Sequence, residues 1–320
     1  SPTATSTSQV LSDVVNDVVV SGSYLYVVAG LAGLHIFSLS DPAHPVEVGY
    51  YDTDGVATGV AVSGGYAYVA DGWQGLVVIN VSTPSAPVRV GSLTFPDAAL
   101  DVAEASGIVY VAASSSGLRI VNCAIPSAPF EVGSYDTPGQ ARGVVVSASR
   151  AYVADTSGGL RIISVASLTT PVEVGFWSAG GSAYGVALFG AYAFVAYSSQ
   201  GLQIINVSTP GSPTLVGSCL VPGQAWAVAV SASHAYVADR YAGLRIISLA
   251  DIAHPLEAGR FVVQPGWADD VALQGNFAYV ASGYTGLDII NIANPVMPYQ
   301  WGSYNTPGSS NGVAVAVNRA

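Results

Sequence analysis

The side chains best suited to recognition recur at one spacing along this chain. Arg142, Tyr184, Trp226 and Asp269 follow one another at intervals of 42, 42 and 43 residues, and Asn16, Thr58 and Leu100 extend the series backwards. The next position reads Asp17, Gly59, Asp101, Gly143, Gly185, Ala227 and Asp270. A third group, Trp73, Tyr197, Arg240, Tyr241 and Tyr284, falls in the turns between the second and third segments of the copies, and Trp267 stands in the single stretch that carries an extra residue, FVVQPGWADD (261–270). Aromatic faces with a few carboxylates and a guanidinium suit sugars, aromatic side chains or a cationic peptide, through stacking and cation–π contact. The candidate ligand-binding set is therefore Asp17, Arg142, Tyr184, Trp226, Arg240, Tyr241, Trp267, Asp269, Asp270 and Tyr284. The competing use of the same aromatics is to fill gaps between packed units.

Carboxylates at this rim raise a second chemistry, since paired acids can do general acid–base work. Asp17, Asp101, Asp269 and Asp270 are the candidates. Asp269 and Asp270 are neighbours on an extended segment, so their side chains should diverge; Asp17 with Asp270 is the better pair if the chain closes into a ring. Other chemistries lack their residues. His35 and His234 have no ligand partners at zinc spacing, His44 and His254 sit before Pro in turns, and Asp52–Gly55 (DTDG) is only a fragment of a calcium loop. Asp71, Asp155 and Asp239 follow a strand in alternate copies and are expected to bond the backbone of their own turn. No nucleophile elbow, P-loop or dinucleotide fingerprint is present, and neither a cofactor nor a metal site is expected.

What positions these residues is a repeat. A Gly-Leu dipeptide begins at Gly33, Gly75, Gly117, Gly159, Gly201, Gly243 and Gly286, a period in the range of about 40–45 residues that marks propeller blades. Each copy holds four short segments rich in Val, Ile and Tyr and separated by turn residues, typified by Gly59–Gly64, Ala67–Asp71, Gly159–Val165 and Pro171–Phe176. These segments are apolar on both sides, as strands are when both sheet faces are covered. The expected fold is all-β: a seven-bladed β-propeller of four-stranded antiparallel blades, with eight blades in the parent protein as the alternative. Residues 1–13, Ser/Thr/Pro-rich, read as a linker left by a removed signal or segment, or as a cloning boundary. Residues 14–320 read as one domain, in which 312–320 match the start of a further repeat.

Composition narrows the partners. The chain has 320 residues, 51% hydrophobic and 9% charged, with nine basic residues, all Arg, against 20 acidic ones and a net charge of -11. That charge disfavours nucleic acid and anionic lipid, and no uninterrupted apolar run reaches the roughly 18 residues of a spanning helix. Cys123 and Cys219 lie two repeats apart and read as packed apolar residues rather than a disulfide.

The segments GLVVINVSTPSAP (75–87), GLRIVNCAIPSAP (117–129) and GLQIINVSTPGSP (201–213), with the AYVAD strand before them, resemble the LVIVD-repeat family of bacterial and archaeal surface-associated proteins. The resemblance covers nearly the whole chain; only NIANPVMPYQW (291–301) departs from it, which puts the outer-strand pairing of copy seven in question. It implies an extracellular or cell-surface location and a binding or adhesive role toward a glycan or protein partner. The alternatives are a carbohydrate-active hydrolase or lyase using the rim carboxylates, and a structural unit of a surface layer.

Overall fold

A computed structural model of the chain describes residues 15–40, 46–263, 266–282, 286–304 and 314–315. Twenty-eight strands form seven blades, each four-stranded, antiparallel and in chain order. Blade 1 is β1–β4 (17–51), blade 2 β5–β8 (59–93), blade 3 β9–β12 (101–135) and blade 4 β13–β16 (143–177). Blade 5 is β17–β20 (185–219), blade 6 β21–β24 (225–261) and blade 7 β25–β28 (270–304). The expected segments fall on β5 (Gly59–Ser63), β6 (Tyr66–Ala70), β15 (Leu160–Ser164) and β16 (Val172–Trp177). Copy seven keeps its outer strand: β28 pairs with β27 from Leu287↔Tyr304 to Asn291↔Tyr299. No helix occurs among the described residues, so none is long and apolar enough to cross a membrane.

The core lies between blades. Val19, Val28, Leu34 and Ile36 of blade 1 pack with Val60, Val69, Val77 and Ile79 of blade 2. The alternate residues of blade 1, Val18, Val20, Leu25 and Val27, pack with Ala272, Tyr279, Leu287 and Ile289 of blade 7, which closes the ring. A short strand, β29 (Ala314–Val315), adds in parallel to the inner edge of β1 beside β25, so the tail lines the closure without displacing a blade strand. Residues 1–13 and the rest of 312–320 lie outside the described residues.

Two glycine positions explain much of the repeat's spelling. The Gly-Leu glycines have positive φ, from 70° at Gly117 to 89° at Gly286, where L residues are strained. The fourth-strand glycines mark a bulge in every blade and let the next blade's turn come close. A Cβ on Gly49, Gly91 or Gly175 would strike the carbonyl of Pro84, Pro126 or Pro210 in the following blade. The Pro-containing turn is thus one half of a clasp.

The connecting loops are tied by buried carboxylates. Thr53 and Thr137 donate their hydroxyls to Asp71 (2.7 Å) and Asp155 (2.5 Å), and Gly139 and Gly223 donate backbone N–H to Asp155 and Asp239. These aspartates therefore hold the loop arriving from the preceding blade, which corrects the expectation that they serve their own turn. Where copy five has Tyr197 instead, its hydroxyl meets the same loop at Ser178 and Ala179, and the ring is fully buried. Both thiols are free, Cys123 inside a seam.

Gly175→Ala should lower the unfolding free energy by about 1–3 kcal/mol through overpacking against a backbone carbonyl. Gly211→Ala, whose Cβ would meet only the Val174 carbonyl at 3.4 Å, should stay within about 0.5 kcal/mol of the parent. Denaturant unfolding of the two variants checks the clasp; equal midpoints would contradict it.

Candidate functional site

The seven inner strands enclose an axial cavity of about 980 Å³. Asn16, Thr58, Leu100, Arg142, Tyr184, Trp226 and Asp269, the residues leading into or opening the seven blades, all line it, as do Asp17, Asp101, Asp270 and Arg240. Asn16 and Thr58 donate to the carbonyls of Ala57 (2.6 Å) and Ala99 (2.9 Å), each in the segment leading into the next blade. At these positions the side chain is occupied by the ring itself.

On the side of blades 4 to 7 the residues do something else. Tyr184 and Trp226 stack with ring centroids 4.1 Å apart and planes at 24°. The Arg142 guanidinium lies 5.3 Å from the centroid of each. Arg240 sits 4.2 Å from the Trp226 ring and 5.9 Å from that of Trp267, and its Nε lies 3.3 Å from Asp269 Oδ1. Tyr184 and Arg240 both pack on the Trp226 indole, each about 4 Å from its centroid. At Trp226 the inner strand also carries a β-bulge: β21 pairs Ala225 with Asp239 and Ala227 with Ala238, leaving Trp226 out of register. The backbone of Arg240 is fixed by Gln224 on one side and Ala268 on the other.

Electrostatics divides the cavity. Asp269 is 1% exposed, and burial pushes its carboxyl up to about 7 despite Arg240 and the Trp267 indole, which act to lower it. Asp17 is also raised to about 7, by burial and then by the like charge of Asp101; Asp101 is raised by burial to about 6. Both are held by amides. Asp17 accepts from Val18 (2.7 Å) and, across the seam, from Val60 (2.8 Å), while Asp101 accepts from Val102 and from Val144 of blade 4, each at 2.8 Å. The carboxylate that acts on Asp17 is thus Asp101 of blade 3, while Asp270 accepts from its own neighbour Val271. Burial draws Arg142 below its usual range, and the nearby charge of Arg240 adds to the effect.

Tyr241 is 65% exposed and does not line the cavity. Tyr284 lies outside the described residues. Two patterns were missed from sequence. The Thr–Asp clasp of the loops is one. The other is a ladder pairing Arg161 with Glu173 (3.5 Å) and Arg245 with Glu257 (3.4 Å), whose signal is an opposite charge 12 residues on. No cluster of three metal-ligating side chains occurs among the described residues.

Seven four-stranded blades around an axial cavity define a β-propeller repeat protein. The family model described as LVIVD repeat matches residues 14–53, 54–94, 98–137, 138–178, 180–221, 222–263 and 265–306, and the chain belongs to that family. A search of the curated proteins finds no match. Among solved structures the chain is similar to the computationally designed Ika8 protein, at TM-score 0.73 and 8% identity over 98% of this chain and 92% of that one. It is similar to a chain of the mitotic checkpoint complex (TM-score 0.71, 11% identity, 85% and 86% covered) and to Sqt1 of Saccharomyces cerevisiae (0.69, 9%, 92% and 87%). At such identities these likenesses show the fold alone.

Asp17, Asp101 and Asp269 titrate higher in the folded chain than in the unfolded one, so the native state binds more protons from about pH 4 to about pH 7 and their contribution to stability is lost as pH rises through that window. Asp17→Asn should therefore shrink the fall in Tm between about pH 5 and about pH 8. Differential scanning calorimetry at both values checks this; an unchanged fall would contradict it.

Proposed function

We propose that this protein is a binding module of the extracellular space or cell surface, which receives a glycan or protein partner at the blade-4-to-7 side of its channel mouth. LVIVD repeats on a β-propeller point to a binding or scaffold module. One observation carries the location of the site: Arg142 reaches the cavity on two aromatic rings and, among the described residues, forms no ion pair. A desolvated cation without a counter-charge costs free energy in the empty protein, and a ligand can recover it. The surface location is supported by the repeat resemblance.

A scaffold reading has its own support. The outer strand of six blades begins with an exposed apolar residue: Val46, Val88, Phe130, Val172, Leu256 and Tyr299. Scattered apolar side chains are ordinary, but a girdle of them can bury against other copies.

Arrays of glycans and peptides probed with the parent and with Trp226→Ala test the proposal. Loss of the indole should release both Tyr184 and Arg240 and weaken binding at least about tenfold, in the range of a buried aromatic anchor. Equal binding by the two proteins would exclude the channel mouth as the site. Sedimentation as a concentration-dependent oligomer, with no array ligand, would favour the scaffold. Antibody labelling of intact cells tests the location, and labelling only after permeabilisation would contradict it.

A further inference from the structure

The channel mouth carries both signs of charge. Arg142 and Arg240 stand at blades 4 and 6, while Asp17 and Asp101 face the cavity from blades 1 and 3, Asp101 at the seam with blade 4, where it accepts from the Val144 amide two residues from Arg142. Asp269 answers the charge of Arg240 at 3.3 Å. Nothing among the described residues answers Arg142 in the same way. Its contacts are the rings of Tyr184 and Trp226.

Among the described residues the Arg142 guanidinium forms no ion pair, so its N–H groups can serve a ligand that reaches the cavity. Those groups form a fork that fits a planar carboxylate through two parallel hydrogen bonds. Trp226 is already packed by both Tyr184 and Arg240, which leaves less of its ring for a sugar face. The work of these rings is to orient guanidinium groups.

On the same rim, each oxygen of Asp17 and Asp101 accepts one backbone amide. A carboxylate oxygen has two acceptor sites, so one on each oxygen remains for a hydroxyl donor. Asn16 and Thr58 donate to backbone carbonyls, which leaves the acceptors as the main polar offering of that part of the rim. The complementary ligand carries a carboxylate with several hydroxyls beside it.

We infer that the channel mouth binds a sugar acid, with the carboxylate on Arg142 and hydroxyls donated to Asp17 and Asp101. This rests on the binding-module reading and narrows it. The cavity, about 980 Å³, is at the upper end of the roughly 300–1,000 Å³ of small-ligand sites, which suits a short acidic oligosaccharide. An acidic peptide would satisfy Arg142 but brings few hydroxyls for Asp17 and Asp101. The net charge of -11 opposes the distant approach of any anion, and physiological salt screens that repulsion beyond about 8 Å.

Isothermal titration calorimetry of the full chain in physiological salt tests the inference with three probes: trigalacturonate, its methyl ester and a triglutamate peptide. Trigalacturonate should bind, and esterification should weaken it at least about tenfold, as loss of a charge-assisted bidentate pair does. Arg142→Gln should lose as much, while Arg142→Lys, which keeps the charge without the fork, should retain part of the affinity. Circular dichroism and thermal unfolding of each variant separate a lost contact from a lost fold. Equal binding of acid and ester, parent-like binding by Arg142→Gln, preference for the peptide, or no binding of trigalacturonate would each overturn the sugar-acid assignment. A neutral glycan or peptide bound on the arrays would still leave the binding module standing. An array with no ligand at all would remove that reading as well.

Discussion

Val27 and Val28 are adjacent in one strand yet belong to different seams, the first facing blade 7 and the second blade 2. That division runs through every blade, because residues of a strand alternate between its two faces and both faces here are apolar. A single blade would expose two such faces to water. Fully burying each Val, Leu or Ile is worth about 1.5–3 kcal/mol, so closure of the ring is the main source of stability and each blade depends on its two neighbours. The glycine–proline clasp and the buried Thr–Asp pairs then set how closely neighbours approach and where the loops lie.

Closure also creates the site. Seven inner strands brought together leave a partly desolvated axial cavity, and the inward edge of each inner strand presents backbone amides that need acceptors. Asp17 and Asp101 answer two of them from the preceding blade. Their raised titration comes first from burial, and the amide bonds they accept act against it. Toward blades 4 to 7, the repeat position that supplies Arg142 and Tyr184 turns the Trp226 indole inward, and two arginines gather on it. The carboxylates serve the ring, while Arg142 is a cation that the ring does not use.

Much of this was legible in the sequence because the repeat is so regular. The Gly-Leu spacing gave the blade number, the two-sided apolar strands gave the packed faces, and the changes of type at one repeat position marked the residues that line the cavity. What escaped was anything that depends on the neighbouring copy. Asp155 looks like a turn residue until the preceding loop is seen to supply Thr137 and Gly139. Tyr197 looks like a rim aromatic until its hydroxyl is found on Ser178 in the buried seam. Trp226 suggested a stacking platform, but it already packs against Tyr184 and Arg240, a fact of side-chain geometry that spacing does not encode.

The closed ring makes the amides of Val60 and Val144 unusual: they point toward the channel, away from their own sheets, and are bonded by a carboxylate from the blade before. Site-resolved hydrogen exchange at these two amides measures closure directly. The account predicts protection close to that of the central strands β6 and β14, since the amides are freed only when the seam opens. Exchange at the rate of exposed loop amides would mean that the wedges do not lean on one another as described, and the channel site would go with them.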